Sequence, residues 1–132
     1  MIRKSVVAVA ALAIIVGCDN GPTVDLTAQA GNYVLRTVNG SALPVTVEVI
    51  GLTQRDLIAD TLFLGVNGSF TDNVYLRDTE GATVRNFTQV DVGTWTANGS
   101  SLTFKSADGT VIAGVVQGNT LSIGETNAVY SK

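Results

Sequence analysis

From Gly31 onward the chain is cut into short runs by pairs of turn-forming residues: Asn39-Gly40, Asn67-Gly68, Asn98-Gly99, Asp108-Gly109 and Gly118-Asn119. Asn-Gly and Asp-Gly suit the type I′ turn, whose two central residues both need positive φ, and such turns twist the right way to join antiparallel strands. The runs between them are rich in Val and Thr, which fit a pleated sheet better than a helix. Strands are expected near 32–38, 45–50, 57–65, 69–77, 83–90, 92–97, 101–105, 110–116, 120–124 and 127–131, some of them merging. No stretch after residue 31 sustains a helical period. Thr53-Gln54-Arg55-Asp56 reads either as one helical turn capped by Thr53 or as a bend between strands.

Alternation picks out a buried face. Tyr33 and Leu35, Leu62 and Leu64, Leu102 and Phe104, and Leu121 and Ile123 each share a side of their strand. Trp95 alternates with Gly93 and Ala97, a pattern suited to a tightly curved sheet. Strands this short and numerous must dispose of their edges, and closure removes them. The near-continuous hairpin connectivity favours closure over a two-sheet sandwich. The expectation is therefore an all-β domain over residues 31–132: an antiparallel up-and-down (meander) barrel of about eight to ten strands.

The amino terminus obeys different rules. Arg3 and Lys4 precede an unbroken apolar run, Val6–Val16. A bilayer-spanning helix needs about twenty apolar residues. This run is too short for that but fits the apolar region of a secretion signal. It ends in Ile15-Val16-Gly17-Cys18, which resembles the bacterial lipobox. The resemblance implies a diacylglyceryl group on the Cys18 sulfur, cleavage after Gly17 and a palmitate-type acyl chain on the new amino terminus. It also implies a cell-envelope location, held to a membrane at its periplasmic face or outer surface. Residues 1–17 then form the signal peptide, a helix, and 18–30 the lipidated cysteine with a flexible tether. Cys18 is the only cysteine, so no disulfide can form within the chain, and lipidation consumes a thiol that would otherwise be exposed to oxidation.

Composition removes several functions. Without the signal peptide the chain keeps eleven acidic residues against six basic ones. That balance argues against nucleic acid, which requires clustered Lys and Arg, and against a polybasic grip on lipid. There is no histidine, so the commonest general base and metal ligand is missing, and Ser-His-Asp and Cys-His arrangements are excluded. The chain reads as a non-enzyme without cofactor. The catalytic routes left are carboxylate, Ser-Lys or Tyr chemistry; no spacing supports a Lys105-assisted serine, and a cavity holding two facing carboxylates would favour catalysis. Asp72, Asp78 and Glu80 lack the spacing of a calcium loop, and Asp78-Thr79-Glu80-Gly81 reads as a hairpin turn.

Gly31-x-Tyr33-x-Leu35, Val38-Asn39-Gly40, Leu43-Pro44, Val66-Asn67-Gly68-Ser69-Phe70, Gly93-Thr94-Trp95, Ser101-Leu102-Thr103-Phe104 and Asp108-Gly109, in that order, resemble the small lipocalin-like lipoproteins of bacterial envelopes. The resemblance implies a barrel able to hold a small apolar ligand. Tyr33, Trp95 and Phe104 are the candidate ligand-binding residues, with Phe70, Tyr75 and Phe87 as further aromatics. In a barrel this small the same rings can instead fill the core. Arg36, Arg77 and Arg85 are expected on the outside. The expected partners are the membrane, through the lipid on Cys18, and either a small apolar ligand or another envelope protein. A filled core would favour a structural or interaction role, as an assembly factor or inhibitor. Interior volume separates the two readings.

Overall fold

A computed structural model describes residues 25–124 and 126–132. The expected signal peptide, Cys18 and the first part of the expected tether lie outside the described residues. Ten strands follow one another: β1 (Gly31–Val38), β2 (Ser41–Ala42), β3 (Val45–Ile50), β4 (Thr53–Leu64), β5 (Ser69–Glu80), β6 (Thr83–Asn98), β7 (Ser101–Ser106), β8 (Val111–Gln117), β9 (Thr120–Ile123) and β10 (Ala128–Ser131). Every pairing is antiparallel, and from β4 to β10 each strand pairs with the next. β1 closes the circle. It pairs with β10 along Val34–Val38 and with β4 along Gly31–Val34. Eight strands, β1 and β4–β10, thus form the up-and-down barrel that the turn pattern implies. β2 and β3 are appended to β1 and β4.

Two sequence expectations need correction. Residues 53–56 form neither a helical turn nor a bend but the start of β4, paired with β3 on one side and β5 on the other. The runs 83–90 and 92–97 are one sixteen-residue strand, β6. The turns also differ in kind. Only Asn39-Gly40 has both residues at positive φ. The loops Gly51-Leu52, Gly81-Ala82, Gly99-Ser100 and Gly118-Asn119 place glycine alone in that region, which is the II′ pattern. Strand register puts glycine first in each of these loops. Asp78 and Glu80 consequently lie on β5 itself, before its turn.

Strand length divides the molecule. β4, β5 and β6 run well past the barrel wall and, with β3, make a sheet that stands above one rim. A register shift between Leu57 and Ala59 marks a bulge at Ile58, just where β4 leaves the barrel. Bulges bend a strand and sharpen its twist. The opposite end is the base. Tyr33, Leu64, Trp95, Leu102 and Leu121 are fully buried there. Gly93 makes that curvature possible, since a methyl group at this position would collide with the Lys105 carbonyl and the Phe70 ring. The last part of the expected tether is docked: Leu26 and Ala30 pack on the core, and the Ala30 N–H donates to the Leu26 carbonyl. The Gln29 side chain donates to the Gly99 carbonyl at 3.3 Å, and the Lys132 ammonium to the Ala28 carbonyl at 3.1 Å.

Candidate functional site

The other end of the barrel holds a cup of about 950 Å³. Its walls are mostly apolar, with Leu35, Leu57, Leu62, Phe70, Phe104, Ile112 and Ile123 among them. Small residues leave the space: Gly114 and Ala128 occupy inward positions on β8 and β10 where a large side chain would fill it. Val47 and Val111 reach the rim.

Three carboxyl groups break the apolar lining. Asp60 on β4, Asp72 on β5 and Asp91 on β6 all face the cup. Alternation requires this: Asp60 shares the inner face with Leu62 and Leu64, and Asp72 stands opposite Leu62 on one side and Asp91 on the other. Like charges directly opposite one another destabilise a sheet, so the group must be relieved. Asp60, only 6% exposed, accepts a hydrogen bond from the Tyr130 hydroxyl at 2.7 Å through Oδ2. Asp91 accepts one from the Ser106 hydroxyl at 2.7 Å. Oδ1 of Asp60 and Oδ1 of Asp72 are both buried and receive no bond from any N–H or hydroxyl. The remaining relief is a proton. Burial pushes Asp72 up to about 9, helped by the adjoining Asp60 carboxyl and by the charges of Asp60 and Asp91. Near neutrality Asp72 therefore keeps its proton. Burial and the same two aspartates push the Tyr130 hydroxyl up strongly, so it stays a donor.

Among the described residues no Lys or Arg lines the cup, and no group of three or more carboxylates is disposed to hold a metal ion. Chemically, the site can accept hydrogen bonds, bind positive charge and hold or hand over one proton.

The aromatic candidates separate. Phe104 and Phe70 line the cup, their rings edge to face at 5.7 Å. Tyr33 and Trp95 do not line it. They close the base, with Trp95 Nε1 donating to the Gly65 carbonyl at 3.0 Å and the Tyr33 hydroxyl to the Gln29 carbonyl at 2.6 Å. Tyr75 points outward, and Phe87 sits between the guanidinium groups of Arg55 and Arg85, each 4.9 Å from its ring centre. Arg85 also bonds Asp78 at 3.2 Å, and Arg77 bonds Asp56 at 3.0 Å. These arginines belong to the projecting sheet. Sequence reasoning weighed Asp72 only with Asp78 and Glu80, for calcium, which it set aside, and passed over Asp60, Asp91 and Tyr130 as site residues. The available signal was Asp60 on the apolar face of β4, a charged residue at a core position. No family model, curated protein sequence or solved structure matches the chain.

Proposed function

We propose that the protein is a lipid-anchored component of a bacterial cell envelope whose lipocalin-like barrel binds a small hydrophobic ligand in the open cup. The observation that carries this reading is the cup itself. Its volume falls at the upper end of small-molecule sites, and a mostly apolar wall with a few convergent polar groups is their usual make-up. A filled interior would have favoured the scaffold reading instead. Affinity would come from burial against Leu57, Leu62, Phe70, Phe104 and Ile123, at about 25 cal/mol for each Å² removed from water.

The anchor rests on the lipobox resemblance at Cys18. The described chain starts beside the base, the pole opposite the cup. A lipid at Cys18 would therefore tie the closed end to the membrane and turn the mouth toward the aqueous space. Catalysis is the less favoured use of the carboxyl pair. Acyl and phosphoryl transfer develop negative charge that preorganised donors must meet, and this lining offers carboxylates without a cation.

The test is calorimetric titration of the acylated protein in nanodiscs of neutral lipid, with empty discs subtracted. A panel of neutral and charged octyl compounds is expected to include at least one saturable one-site binder. Ile123→Trp, which puts an indole into the cup, should abolish that binding. Absence of saturable binding across the panel would overturn the proposal. Trp95 fluorescence is a poor readout, since the indole is sealed in the base. The anchor is tested separately by the mass of the amino-terminal peptide, and an unmodified Cys18 sulfur would refute it.

A further inference from the structure

The cup is built to be short of positive charge. Asp60, Asp72 and Asp91 stand side by side on three neighbouring strands, facing a cavity whose other walls are largely apolar. Asp60 is more than nine-tenths buried, faces the cup and has an oxygen that no donor group of the protein serves. We propose that the ligand joins an apolar body to a protonated amine, with the ammonium seated between Asp60, Asp72 and Asp91 and the body lying against Phe70, Phe104 and Ile112. This rests on the binding reading above and specifies its ligand class.

The chemistry follows from what the empty site lacks. A buried carboxylate without a donor is costly, and the protein relieves the cost by leaving a proton on Asp72. An ammonium brings three donors and a full charge, which serve both orphaned oxygens at once. A neutral alcohol offers one donor and leaves the charge of Asp60 and Asp91 uncompensated. A carboxylate ligand would add a further negative charge to three existing acids. A bare metal ion suits the site less well, because the described residues hold no chelating group of three and half the cup would remain an unfilled apolar void.

Binding should also be coupled to proton release. The titratable groups facing Asp72 are Asp60 from β4, Asp91 from β6 and, through Asp60, Tyr130 from β10. All are acidic or neutral, so the arriving cation is the first positive charge Asp72 meets. It should drive the Asp72 proton off, and affinity for the amine should rise with pH across neutrality.

The experiment compares octylammonium, octanol and octanoate on the acylated full chain in neutral-lipid nanodiscs, at one pH below and one above neutrality. Octylammonium is expected to bind at least about tenfold more tightly than octanol, a difference of about 1.4 kcal/mol, with octanoate weakest. Repeating the titration in buffers of different ionisation heat should reveal protons released on amine binding only. Asp60→Asn should erase the amine preference while octanol binding, which reports an intact cup, persists. Asp91→Asn, at a more exposed position, provides a second variant should the first fail to fold, and should reduce the preference in part. Octanol binding as tightly as octylammonium would overturn the amine assignment and leave the carrier reading intact. Failure of all three compounds to bind would overturn both.

Discussion

Asp72 and Asp78 lie on the same strand and the same face, roughly 20 Å apart at the usual rise per residue, yet they belong to opposite kinds of site. Asp78, on the projecting sheet, is gripped by Arg55 at 2.7 Å and Arg85 at 3.2 Å, and these hydrogen bonds hold its carboxyl down at about 2. Asp72, inside the cup, is pushed up to about 9 by burial and by the neighbouring acids Asp60 and Asp91. The same contrast holds between the two ends of the barrel. In the base, Trp95 and Tyr33 are buried with their polar atoms satisfied by backbone carbonyls. In the cup, Asp60 and Asp72 keep oxygens that no donor meets. The rim sheet thus supplies two guanidinium groups to its carboxylate, whereas the cup supplies only single hydroxyls to Asp60 and Asp91 and no cation. Buried polar groups left short are expected where a ligand completes them.

The contrast predicts graded effects. Trp95→Ala should cost about 3–5 kcal/mol in urea unfolding, since it removes the largest side chain of the dry end. Ile112→Ala, on the cup wall, should cost under about 1 kcal/mol, because that side chain already borders open space. Equal costs would break the distinction between a packed base and a hollow mouth.

Tyr130→Phe should cost about 1–3 kcal/mol by stripping Asp60 of its one hydroxyl donor. A neutral result would mean that the hydroxyl does not support the acid.

Asp72→Asn should stabilise by about 1 kcal/mol or more near neutrality, because the amide can donate to Asp60 without holding a proton. The sign is set by a native value raised from 3.8 to about 9. The native state binds the extra proton, so wild-type stability falls as pH rises through that window and levels off above it. The advantage of the variant should therefore vanish in acid and grow toward alkaline pH. A pH-independent difference would sink the assignment.

The smallest effect is expected at Arg85→Ala. Its guanidinium is largely exposed, so the loss should be slight and should shrink further with added salt. The corresponding carboxyl, Asp78, contributes stability above the ordinary carboxylate range, and that contribution is lost as pH falls toward about 2.

Much of the barrel was legible in the chain. The spacing of glycine-containing loops and the alternation of Leu102 with Phe104, or Leu62 with Leu64, announce antiparallel strands with one dry face, because both signals are local. The central place of Trp95 was legible too, from Gly93 and Ala97 beside it. Its role was not: whether a ring inside a barrel seals an end or lines a cup depends on height along the axis, which no local pattern encodes. The acidic group was illegible for a related reason. Asp60, Asp72 and Asp91 come from three strands, and only the register of β4 with β5 and of β5 with β6 sets them side by side.

The sequence by itself determined an antiparallel domain without histidine or an internal disulfide, because composition, turn chemistry and two-residue periodicity act over a few residues at a time. Only the tertiary structure decided that one end is packed and the other hollow, and that the hollow end is acidic. Closure of β1 onto both β4 and β10 fixes the interior volume, and small residues on β8 and β10 keep it open. Strand register then concentrates three like charges in a place where water cannot fully screen them.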